Sequence, residues 1–255
     1  MIDTYHKTQI LRFSQGKSKA IDDGVITEQP VSLTINSQVW LTFMCTPVDL
    51  EALAAGFLFN ESIISTIDEI EDIRVCEHQD NVDVWLNRHV DEPKDWRRTS
   101  GCTGGYTTAI LDEVDPIPSD NLCLTPENIL SLVRTMFESQ DIYRKSGGVH
   151  ASALASKEKI ILQLEDVGRH NTLDKIAGRI LLEDISINPK ILLTTGRISS
   201  EMLQKAARLK TGMLISRTSP TSMSVDLAKR LGITLIGYAR GHRFNVYTHP
   251  ERVST

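Results

Sequence analysis

No apolar run in the chain approaches the roughly 18 residues that a bilayer-spanning helix requires, which speaks against a helical membrane protein. The four cysteines, Cys45, Cys76, Cys102 and Cys123, lie far apart and never form a CxxC, so a structural zinc site is not expected and the thiols should stay free in a reducing compartment. No GxxxxGK followed by Ser or Thr is present, against a P-loop nucleotidase, and no GxGxxG follows a strand, against a dinucleotide-binding Rossmann fold. Positive charge is also in short supply. The net charge of -5 argues against broad electrostatic binding to nucleic acid. There is no internal repeat or low-complexity tract. The opening Met1-Ile2-Asp3-Thr4-Tyr5-His6 has neither the basic start nor the apolar stretch of a secretory signal, so the expected location is the cytoplasm.

What remains is an ordinary core-forming composition, 40% hydrophobic and 24% charged over 255 residues, enough for one large domain or two modest ones. Residues 1–24 are polar and are expected to be partly mobile. Residues 31–35 and 39–45 alternate apolar with polar around Asn36-Ser37-Gln38, the pattern of a hairpin. Thr46-Pro47 offers a helix start, and Leu50, Leu53, Ala54, Phe57 and Leu58 recur on one helical face. Residues 73–76 and 82–86 are expected to pair. From 91 to 121 periodicity fades and Pro93, Pro116, Pro118, Gly101, Gly104 and Gly105 accumulate. This stretch reads as a connection between a smaller α+β domain, 1–115, and a second domain, 116–255.

The second half alternates helix and strand. Helices are predicted at 125–139, 172–182, 200–209 and 221–231, and strands at 149–155, 160–164, 191–194, 213–216, 233–238 and 244–247. That order predicts an α/β fold with a mostly parallel sheet, whose ligands bind at the carboxyl ends of the strands.

The chemistry-bearing residues gather at those ends. They include Lys145-Ser146-Gly147-Gly148-Val149-His150 and Glu165-Asp166-Val167-Gly168-Arg169-His170-Asn171. Further along come Thr194-Thr195-Gly196-Arg197-Ile198-Ser199-Ser200-Glu201, then Ser216-Arg217-Thr218-Ser219-Pro220, then Tyr238-Ala239-Arg240-Gly241-His242-Arg243. Asn171, Ser199 and Ser200 also read as plain helix caps, and His150 equally as an interior histidine. Taken together, arginines, hydroxyls and backbone donors on one rim suit a phosphorylated ligand. Cys102, in Arg97-Arg98-Thr99-Ser100-Gly101-Cys102-Thr103-Gly104-Gly105, has glycines that leave its sulfur open and arginines that favour thiolate. It also reads as an ordinary free cysteine in a glycine turn. Cys45, Cys76 and Cys123 read as packed.

The order Gly147-Gly148-Val149-His150-Ala151, Glu165-Asp166-Val167-Gly168-Arg169-His170-Asn171, Gly196-Arg197-Ile198-Ser199-Ser200-Glu201-Met202 and Ser219-Pro220-Thr221-Ser222 resembles the FdhD family of formate dehydrogenase accessory sulfurtransferases. The resemblance implies a cytidine-deaminase-like second domain and a homodimer. It implies persulfide sulfur received from a cysteine desulfurase on Cys102 and passed to the molybdenum bis(molybdopterin guanine dinucleotide) cofactor of formate dehydrogenase. It assigns the cofactor-binding segment to Tyr238, Ala239, Arg240, Gly241, His242 and Arg243. The strand-end clusters themselves add Arg169 and Arg197 as phosphate contacts, with His150 and His170 supporting binding or proton movement. Many members carry a CxxC in the reactive loop, whereas Gly105 stands here at the second cysteine position. A one-thiol relay is therefore expected, with a cofactor chaperone lacking sulfur chemistry as the alternative. Serine in His150-Ala151-Ser152 and the missing PCxxC argue against a zinc deaminase.

Overall fold

Asn36 and Ser37 both take positive φ, 46° and 71°, and make the two-residue turn that suits the right-handed twist of a hairpin. A computed structural model describes residues 4–93, 97–98, 106–107, 115–117 and 122–254. The chain begins with an antiparallel ribbon, β1 (Tyr5–Ser14) and β2 (Lys17–Ile26), closed at Gln15-Gly16. From Tyr5 onward this polar stretch thus forms regular structure. Its alternation is faint because Leu11 and Phe13, toward the turn, are solvent-exposed on the ribbon.

The predicted hairpin is β3 (Gln29–Ile35) and β4 (Gln38–Cys45), followed by α1 (Leu50–Asn60), β5 (Ile70–Val75) and β6 (Asn81–Leu86). These strands form a sheet in the order β4-β3-β6-β5, with β3 parallel to β6. Val31, Leu33, Phe43, Val82 and Val84 point from it onto Leu53, Phe57 and Leu58 of α1. Phe43 and Phe57 meet edge to face, 5.2 Å between centroids. Two short strands, β7 (Arg97–Arg98) and β8 (Tyr106–Thr107), pair antiparallel.

In the second half, α2 (Pro126–Glu138), α3 (Asp141–Ser146), β9 (His150–Ala155), β10 (Ile160–Asp166), α4 (Arg169–Leu182), β11 (Lys190–Thr194), α5 (Ser200–Arg208), β12 (Thr211–Ser216), α6 (Ser222–Leu231), β13 (Thr234–Arg240) and β14 (Arg243–Val246) follow the predicted order, with the short helix α3 an unpredicted addition. Their sheet runs β10-β9-β11-β12-β13-β14. The α/β class stands, but the sheet is mixed: β11, β12 and β13 pair in parallel, while β9 and β14 run against their neighbours. The reason is local, since hairpin-length connections join β9 to β10 and β13 to β14 and such connections reverse the chain. Even so, β10, β11, β12 and β13 all run one way, so their carboxyl ends share a rim. Alternate strand residues face opposite ways. Leu154, Leu192, Leu214 and Leu235 pack on α4, α5 and α6. Ala153, Leu193, Ile215 and Ile236 pack on α2. No helix among the described residues is long and apolar enough to cross a membrane.

Helix α1 lies between the first sheet and α4. Its Ala52, Ala55 and Gly56 are buried on this second side. A Cβ on Gly56 would collide with the Asp174 carbonyl, and one on Gly178 with the Ala52 carbonyl. Two glycines therefore let the helix backbones touch, much as small residues do wherever helices approach closely. The helix starts at Leu50 rather than at Thr46-Pro47, because Thr46 is occupied elsewhere. Its backbone N donates to Asp166 Oδ2 (3.1 Å), its hydroxyl accepts from Val167 N (3.2 Å), and its carbonyl accepts from Lys175 Nζ (3.0 Å). A residue read as a cap is instead a joint between the two halves.

Candidate functional site

The rim is laced by its own loops. Arg217 N donates to Thr194 O (3.2 Å), Ser216 Oγ to Gly196 O (2.6 Å), and Tyr238 N to Thr218 O (3.0 Å). The loops after β11, β12 and β13 are therefore held at fixed spacing. Two side-chain caps are visible here. Ser199 accepts from Met202 N at the start of α5, and Thr221 accepts from Ser224 N at the start of α6. Each satisfies an orphan helix N–H.

On this rim opens a cleft of about 440 Å³ whose lining includes Gly147, Gly148, His150, Val167, Thr195, Arg217, Thr218 and Arg240, with Gln140 and Tyr143 on the α2–α3 side. His150 starts β9, which runs against β11, and so reaches the same edge. Its Nδ1 lies 3.4 Å from Thr195 Oγ1, which also accepts from Ala151 N (3.0 Å). Burial, and secondarily the charge of Arg169, hold the His150 imidazole below its usual pKa, favouring the neutral ring.

Arg169 and His170 open α4, three residues before the predicted start. Asn171 is thus inside the helix and Gly168 is its cap. The Asn171 amide donates to Met44 O (2.9 Å) and Asp166 Oδ1 (2.9 Å). Arg169 is 6% exposed, and Gly196 leaves the room its side chain fills, since a Cβ there would sit 3.0 Å from Arg169 Cβ. His170 Nε2 lies 3.3 Å from Glu201 Oε2 and 3.5 Å from Ser199 Oγ. Burial first, then Lys205 and Arg169, push the His170 pKa down to about 3. At neutral pH the ring is uncharged, so its contact with Glu201 is a hydrogen bond and not an ion pair. Burial also raises the Glu201 carboxyl above its ordinary pKa.

Of the residues singled out in the sequence, Arg240 and His150 meet in the cleft. Tyr238, with φ of 53°, and Gly241, with φ of 61°, shape the β13–β14 turn, where His242 and Arg243 are exposed. Ala239 is 0% exposed and packs in the core, so its side chain is structural. Arg197 is exposed on the β11–α5 loop and Arg169 lies beneath Gly196; neither is part of the cleft lining. Arg217 appeared in a strand-end motif without being chosen. Gln140, Tyr143 and Phe137 belong to no motif, because a rule about strand ends does not look at helices packed over them.

Cys102 lies outside the described residues. Cys45 is buried, and burial together with Asp166 pushes its thiol up to about 12. The other two depart from the packed expectation. Cys76 is partly exposed where β5 ends, its thiol donating to Asp80 Oδ1 (2.9 Å) and accepting from Asn81 N (3.3 Å). Cys123 is exposed between buried Leu122 and Leu124, as extended backbone alternates its side chains.

Residues 26–254 match the model of the FdhD/NarQ family. A sulfur carrier protein FdhD of Bacillus subtilis is 35% identical over 250 residues, covering 96% of this chain and 95% of that protein. A protein of the same name from Listeria innocua is 34% identical, covering 99% and 100%. A crystal structure from Desulfotalea psychrophila, described as a formate dehydrogenase accessory protein, superposes with a TM-score of 0.85 at 34% identity, covering 99% of this chain and 100% of that one.

Proposed function

The chain belongs to the FdhD/NarQ family, and from that membership we propose that it carries sulfur for the maturation of a formate dehydrogenase. Cys102, as a thiolate, attacks the outer sulfur of a persulfide on a cysteine desulfurase. One S–S bond forms on Cys102 while the donor's breaks, and the donor leaves as a thiolate. The outer sulfur then passes to the molybdenum of the bis(molybdopterin guanine dinucleotide) cofactor, which is the substrate of this step. Sulfur arrives as a neutral atom, so the metal centre supplies the electron pair of the new bond and Cys102 departs as a thiolate. Gly105 in place of a second loop cysteine means that one thiol does both steps.

The observation that supports this reading is the rim cleft. It offers Arg217 and Arg240, cations of the kind a pyrophosphate calls for. At about 440 Å³ it suits one nucleotide end of the cofactor, since pockets of roughly 300–1,000 Å³ hold single drug-sized ligands. A homodimer would offer two such clefts, one for each guanine dinucleotide arm. The chain works in the cytoplasm, where desulfurase and apo-enzyme meet.

Intact-mass analysis after incubation with a cysteine desulfurase and cysteine tests the central step. A single added sulfur mapped to Cys102 is the expected result; an adduct on Cys45, Cys76 or Cys123 alone, or none, overturns it. The absence of a second loop cysteine favours a second reading, a chaperone that binds the cofactor and moves no sulfur. Cys102→Ala decides between them: full formate dehydrogenase activity with that variant selects the chaperone.

A further inference from the structure

The guanidinium of Arg217 lies over the ring of Phe137, 4.0 Å from its centroid. Phe137 sits in the last turn of α2 and is 41% exposed. Arg217 at the same time lines the rim cleft, as does Arg240. Neither arginine has a carboxylate partner among the described residues, and none of the described lining residues is acidic. Two uncompensated cations facing one cleft, backed by a glycine turn, make a site for an anion with more than one charge. The stacking adds order. A free arginine side chain has many rotamers to lose on binding, and a ring beneath the guanidinium removes part of that cost before the ligand arrives. Gln140 stands on the same wall, 1% exposed, and its Nε2 has no acceptor among the described residues.

We propose that Arg217 is the principal phosphate-binding residue of the cleft and that Phe137 is its positioning residue, holding the guanidinium flat and aimed at a diphosphate. The proposal deepens the reading of the cleft as the nucleotide end of the cofactor site and rests on it for the ligand's identity, not for its charge. Phe137 need not touch the ligand. It acts through Arg217, so an aromatic replacement preserves the effect and an aliphatic one of similar bulk does not.

Isothermal titration of the full chain with inorganic pyrophosphate, GDP, ADP and guanosine tests it. Arg217→Ala is expected to weaken pyrophosphate and GDP by tenfold or more and to leave guanosine unchanged. Phe137→Leu should weaken the same two ligands several-fold, while Phe137→Tyr restores them, with all variants melting within a few degrees of the parent protein. Pyrophosphate binding that is lost in Arg217→Ala, in a protein that does not prefer GDP to ADP, supports the clamp and sinks the guanine reading. Parent protein that binds no pyrophosphate, an Arg217→Ala variant that binds it as well as the parent, or equal effects of Phe137→Leu and Phe137→Tyr each overturn the proposal.

Discussion

Lys175 Nζ and Asp166 Oδ2 lie 2.6 Å apart with both side chains at 0% exposure, at the seam between the two halves of the chain. Asp166 also accepts from Thr46 N, Gly168 N and Asn171 Nδ2, so its charge is fully met by donors. Lys175 in turn donates to Thr46 O. The pair locks the loop that carries Val167, a residue of the cleft, onto the first half of the molecule.

Removing one partner strands a buried charge. Asp166→Ala should destabilise the protein by about 3–5 kcal/mol, read as a lower urea midpoint. The double variant Asp166→Ala/Lys175→Met should recover a substantial part of that loss, because no unpaired ammonium is left. A double variant no better than the single one would show that the seam depends on this pair for something besides charge.

The α1–α4 contact is intolerant of a single methyl group. Gly178→Ala and Gly56→Ala each drive a Cβ into a backbone carbonyl of the opposite helix, and overpacking of this kind costs about 1–3 kcal/mol or more. Calorimetry should show both melting well below the parent protein. In an isolated helix the same change would be favourable, so a rise in melting temperature would contradict the close approach.

Thiol reactivity separates the described cysteines. Cys45, buried and titrating near 12, should resist iodoacetamide at pH 8 in the folded protein, since the thiolate is the reacting form. Cys123, exposed, should alkylate quickly. Peptide mapping after a short pulse reads both, and labelled Cys45 in native protein would refute its assignment to the core.

Acid should weaken the fold through His170. Its pKa falls from 6.5 to about 3 on folding, so between those values the unfolded chain binds a proton that the native state refuses. Stability therefore rises with pH across this window and is lost as pH drops from 6.5 toward 3. His170→Asn should flatten that part of the urea-midpoint profile against pH. An unchanged slope would mean that other groups carry it.

The secondary structure of the second half was legible in the sequence because its signals are local. Thr125, Ser199 and Thr221 cap helices through hydroxyls three residues from the N–H they satisfy, and alternating leucines and isoleucines mark strands whatever they later touch. The turn at Asn36-Ser37 was equally readable, since positive φ at both positions is a property of those residues and their neighbours. From element order and strand-end chemistry alone, the α/β class and a polar rim at the carboxyl ends followed. Tertiary structure alone decided which of the rim residues meet. Thr46 serves residues 120 and more positions away instead of capping α1, and Asn171 reaches Met44 instead of capping α4. Arg217, not Arg197, lines the cleft, with its guanidinium over Phe137, 80 positions earlier. Hydrogen bonds and ring contacts between distant segments form only once the chain has closed those loops, and no local pattern of residue types announces them.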